Sequence, residues 1–105
     1  MSSKNAPDLV QTRRMDDLTA TAFAFEEFER RHPKESWPPW LLRCTVPGVA
    51  YDRDDRAIVS LAVTPKATNR GITFFEAVVD PRTAEVEVLI DDDPVALTGK
   101  ELRGF

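Results

Sequence analysis

The amino-acid sequence predicts an α+β fold, with one N-terminal amphipathic helix packed on an antiparallel sheet of about four strands. Three observations carry this expectation. Apolar residues between Met15 and Phe28 recur at helical spacing. Val, Ile, Leu and Phe dominate the segments Ala57–Thr64, Ile72–Asp80 and Glu85–Asp91, where side chains should alternate between two faces. Finally, Asp80-Pro81-Arg82-Thr83-Ala84 has the composition of a turn, and joins the last two segments as a hairpin.

A chain of 105 residues, 42% hydrophobic and 30% charged, has material for one core and therefore one domain. Residues 1–105 are read as that domain: a loose arm over 1–7, a helix over 8–32, a sheet over 40–91 and a tail over 92–105. The net charge of −4 is spread over both signs, which argues against a nucleic-acid partner, whose phosphates call for clustered Lys and Arg. Cys44 is the single cysteine, so an intrachain disulfide is excluded and a reducing, cytoplasmic setting is expected. The first fifteen residues lack a signal-like apolar run, and no long uncharged stretch suits a membrane, so neither export nor membrane association is expected.

The helix is expected to start either at Asp8, with Gln11 completing a capping box, or at Asp16-Asp17, since each places acceptors beside the orphan amides. On the helical wheel Met15, Leu18, Ala22 and Phe25 form the core-facing stripe, flanked by Thr21 and Phe28, while Phe23 falls on the far side. Arg30, Arg31 and His32 suit the carbonyl end, and Pro33 stops the helix. A proline-rich connector follows, in which Trp37 and Trp40 bracket Pro38-Pro39. This aromatic pair either staples the connector to the core or stands out as a contact surface.

Trp40 to Val46 reads as the first strand, with Trp40, Leu42, Cys44 and Val46 on one face, and Pro47-Gly48 ends or bends it. Pairing resumes around Val49–Tyr51 before a polar turn over Asp52–Arg56. In the next strand Val59, Leu61 and Val63 share a face. Beyond Pro65 and a polar loop, Phe75, Ala77 and Val79 are expected inward and Phe74, Glu76 and Val78 outward. The return strand of the hairpin is expected to bury Val86, Val88 and Ile90, leaving Glu85, Glu87 and Leu89 outside. Ala84 stands where such a turn ordinarily has glycine, and is strained if its φ is positive.

The order of elements, with VVDPRTAEVEVLI as closing hairpin, resembles small cystatin-like folds: PepSY-type domains and NTF2-like immunity proteins of bacteria. The resemblance spans roughly Leu18 to Asp91 and implies a helix laid on a curved sheet, and a role in neutralising a toxin. It is one of pattern, so it carries no functional residues with it.

No catalytic, cofactor or metal site is expected. Cys44 on a strand and His32 at a helix end have no enforced proximity, and a free cysteine among apolar residues is ordinarily core. Asp52/Asp54/Asp55 and Asp91/Asp92/Asp93 lack the glycine and distal glutamate of calcium loops, and read as solvated turns. Glu26 and Glu27 point about 100° apart on a helix and cannot share a proton. What remains is a contact surface, with Trp37, Trp40, Phe23 and Leu89 as anchors and Glu85 and Glu87 steering a positively charged partner. The favoured reading is a protein-interaction module, an immunity, inhibitor or adaptor protein, whose partner is another protein or a second copy. The alternatives are a small-ligand or weakly enzymatic pocket between helix and sheet, lined by residues such as Tyr51, Ser60 and Glu76, and a structural subunit of a larger assembly.

Overall fold

Asp16 starts the first helix. Its carboxylate accepts from the Thr19 amide at 2.8 Å and from the Thr19 hydroxyl at 3.0 Å, which satisfies an amide the helix itself leaves orphaned. The computed structural model describes residues 15–64 and 70–98; the expected arm over 1–7 and the Asp8–Gln11 capping box lie outside them. Helix α1 runs Asp17–Arg31. At its end the His32 amide donates to Phe28 C=O, and the Trp37 indole N–H donates to His32 C=O at 2.6 Å, so the connector folds back over the helix terminus.

After a 3-10 turn at Lys34–Ser36, residues Trp40–Cys44 form a short helix, α2, and not the strand expected from Trp40 to Val46. The two prolines explain the difference. Pro39 has φ −57° and ψ −29°, already helical, and proline is well placed at a helix start, where its missing N–H is not needed. A helix can also bury the neighbours Trp40 and Leu41 together, whereas a strand would send them to opposite faces.

Four strands follow: β1 (Val46–Tyr51), β2 (Ala57–Val63), β3 (Ile72–Val79) and β4 (Val86–Asp91), antiparallel throughout and ordered β1-β2-β3-β4. Pro47-Gly48 lies within β1 instead of ending it, which an edge strand tolerates. The expected polar turn at 52–56 is closed by the Asp52 carboxylate, which accepts from the amides of Asp54 and Arg56. A last helical turn, α3 (Pro94–Thr98), lies in the expected tail and starts from Asp93, which accepts from the Val95 amide.

Two register shifts decide which side chains face α1. Leu61 pairs with Phe75 but Ala62 pairs with Thr73, so Phe74 is an extra residue in β3. Phe74 and Phe75 are consequently both buried, where alternation alone would place Phe74 outward. On β4, Ala77 pairs with Val88 and Glu76 with Ile90, leaving Leu89 as the extra residue. Beyond it the parity reverses: Ile90 lies opposite Glu76 on the outer face, and Asp91 points to the helix. The expected inward Ile90 is corrected accordingly.

The helix is also turned relative to expectation. Ala20, Ala24 and Phe28 face the sheet with no exposed surface, whereas Leu18 is 84% exposed and Ala22 is exposed. Polar pins at both ends set this rotation. The Tyr51 hydroxyl meets Met15 C=O at 2.7 Å and the Asp17 carboxylate, while Asp91 holds Arg31 and His32. Asp17, Ala24 and Arg31 are successive sevens, hence one side of a helix. The two alanines let that side approach the sheet closely, and Phe28 fills the remaining space against Phe74 and Phe75, at ring-centre distances of 5.7 and 5.1 Å.

Candidate protein-interaction surface

The anchors expected from sequence divide between core and surface. Trp40 is 3% exposed and stands edge-on to Phe74 at 5.6 Å, so it is a core residue and not a contact anchor. Trp37 is half-buried against Phe28, with its N–H committed to His32 C=O. The pair therefore staples the connector. Leu89 is 53% exposed because it is the bulged residue of β4, and Glu85 and Glu87 are exposed as expected.

Phe23 is half-buried rather than fully outward, and it is the residue around which a surface forms. An open groove of about 650 Å³ runs between α1 and β4, lined by Phe23, Ala84 and Val86 with Glu26, Glu27, Glu29 and Arg30. Its position follows from the rotation of α1, which swings Phe23 toward the sheet edge. The Asp80 amide donates to Glu85 C=O, so the backbone groups of the next residue, Val86, point away from β3 in the antiparallel alternation. Among the described residues no strand lies beyond β4.

Charge on this groove is one-sided. Glu27 accepts from both Arg30 and Arg31, the latter at 2.7 Å, and these guanidinium groups hold its carboxyl below the usual range. With both arginines drawn to Glu27, Glu26 and Glu29 have no ion-pair partner among the described residues. On the other side of β4 a second hollow is lined by Val78, Asp80, Glu85, Val86 and Glu87 with Arg56. Arg56 is bound to Asp52 at 2.8 Å, and that pair, with Asp54 and Glu87, raises its pKa. For Asp52, desolvation acts upward, but the Arg56 and Asp54 amides and the Arg56 guanidinium outweigh it and its pKa is lowered. Both flanks of the β4 edge are therefore acidic. Sequence reasoning found Glu85, Glu87 and Phe23, but missed Val86, Glu26 and Glu29; the only sequence signal was the helical spacing of Phe23, Glu26 and Glu29.

Tyr51, Ser60 and Glu76 do not come together as a pocket lining. Tyr51 is engaged with the start of α1, whereas Ser60 donates to Glu76 at 3.1 Å on the sheet face away from the helix. The space between helix and sheet is occupied by Phe28, Leu61, Phe74 and Phe75. Three of the clustered aspartates are engaged in hydrogen bonds: Asp52 within its turn, Asp93 at the start of α3, and Asp91 with Arg31 and His32 at the end of α1. Among the described residues no three His, Cys, Asp or Glu side chains gather as metal ligands, and no helix is long and apolar enough to cross a membrane. Compared with protein-family models, curated proteins and solved structures, the chain matches none.

Proposed function

We propose that this chain is a protein-interaction module, of the immunity, inhibitor or adaptor kind, that covers a positively charged partner protein with the groove between α1 and β4. The observation that carries the reading is the pairing of an apolar floor, Phe23, Ala84 and Val86, with the carboxylates Glu26 and Glu29, which have no ion-pair partner among the described residues. Apolar contact supplies affinity, and the acidic rim raises the encounter rate with a basic partner and disfavours acidic ones. The mechanism is steric and electrostatic.

A photo-crosslinking residue placed at Glu26, and at Arg53 as a distant exposed control, tests the reading in extracts of the source cells. A discrete adduct from position 26 only, competed by unlabelled protein and lost on Phe23→Glu, is the expected result, with circular dichroism checking that the variant is folded. Identical adduct patterns from both positions would defeat the proposal.

A further inference from the structure

The edge of β4, which no strand covers among the described residues, suggests how a partner engages, an inference that rests on the interaction reading above. We infer that an extended segment with alternating apolar and basic residues adds to β4 as a fifth strand, pairing with the Val86–Val88 backbone. The outer edge at β1 is less suited, because Pro47 has no N–H to offer. At β4 the Val86 N–H and C=O face outward, and the ladder remains regular until the Leu89 bulge, which limits pairing to a short stretch.

Side chains of an added strand alternate between two sides, and the two sides of β4 differ. Toward the helix they meet Phe23 and Val86, with Glu26 and Glu29 at the rim; toward the outer face they meet Asp80, Glu85 and Glu87. Apolar residues suit the first and Lys or Arg the second. A second copy of this chain is a poorer occupant, since antiparallel β4–β4 pairing would set Glu85 and Glu87 against the same carboxylates of the other copy.

The test uses the full chain and a seven-residue peptide of alternating Val and Lys, with a Val/Glu peptide as control. On saturation with the Val/Lys peptide, hydrogen exchange at the Val86 amide should slow, and binding should weaken with added salt. Glu85→Lys/Glu87→Lys should weaken binding about tenfold or more. Val86→Pro should abolish it while leaving the fold intact, because that N–H is not part of the β3–β4 ladder. Unchanged Val86 exchange at saturation, equal binding of the Val/Glu peptide, or a stable dimer by sedimentation that Val86→Pro dissolves would each overturn the inference. If Phe23-dependent crosslinking persists while the peptide fails to pair, strand addition alone is wrong; if both fail, so does the interaction reading.

Discussion

His32 Nε2 lies 2.6 Å from Asp91 Oδ1, joining residues 59 apart in the chain, and Arg31 reaches the other carboxylate oxygen at 3.2 Å. The end of α1 is thereby fastened to the end of the edge strand that borders the groove. Regular alternation from Val86 would have turned Asp91 outward; the bulge at Leu89 turns it inward. Asp91→Ala should lower stability by about 1 kcal/mol, as expected for partly exposed charged hydrogen bonds. A double-mutant cycle with His32→Ala, read by urea denaturation, should give a coupling of about 0.5 kcal/mol or more. Strict additivity would mean that the contact contributes nothing.

The hairpin turn holds a stored cost. Ala84 has φ 62°, a left-handed conformation, while its amide donates to Asp80 C=O at 2.8 Å. Ala84→Gly should stabilise the protein by about 0.5–1 kcal/mol, since glycine removes the Cβ clash but costs some unfolded-state entropy. An upward shift in the urea midpoint is the expected observation, and a fall would show that the turn is unstrained.

The face of α1 can be checked by three substitutions. Leu18→Gln should change stability by no more than about 0.5 kcal/mol. Phe28→Ala should cost about 3–5 kcal/mol, because it empties the space between Trp37, Phe74 and Phe75. Ala24→Leu should cost about 1–3 kcal/mol by overpacking. Calorimetric melting would order the variants, and a Leu18 variant less stable than the Phe28 variant would contradict the observed rotation.

Acid should destabilise the fold through three carboxylates. The amide and hydroxyl of Thr19 hold the Asp16 pKa below its ordinary value, the arginines do so for Glu27, and Asp52 is lowered on balance. A carboxylate with a lower pKa folded than unfolded contributes fully above its unfolded value and loses that contribution as pH falls through the folded one. Urea midpoints should decline below about pH 4, where these carboxylates become protonated. Glu27→Gln should flatten the decline; a midpoint that rises on acidification would refute the assignment.

Much of the architecture was legible because it is locally encoded. Asp16 has Thr19 three residues on, Pro33 ends the helix, the Asp52–Arg56 and Asp80–Ala84 turns carry side chains that bond their own backbone, and β2 alternates without interruption. The α2 helix was missed because Trp40-Leu41-Leu42 is apolar enough for either period, and proline at a helix start looks the same in sequence as proline in an extended connector. Of the candidate surface, Phe23, Glu85 and Glu87 were found, while Trp40 was misplaced by assuming that aromatics beside prolines stand outward.

The sequence by itself determined α1, the strands β2, β3 and β4, the antiparallel hairpin and the acidic character of its last third, since propensity, turn chemistry and charge are properties of neighbouring residues. Tertiary structure decided the rest: which side of α1 meets the sheet, through Tyr51 and Asp91; which of Phe74, Leu89, Ile90 and Asp91 face inward, through two bulges; and that Phe23 borders a groove with Ala84 and Val86. A bulge is a mismatch between two strands, and a helix rotation is a compromise between contacts at its two ends. Neither can be read from one segment, because each exists only in the relation between elements brought together by the fold.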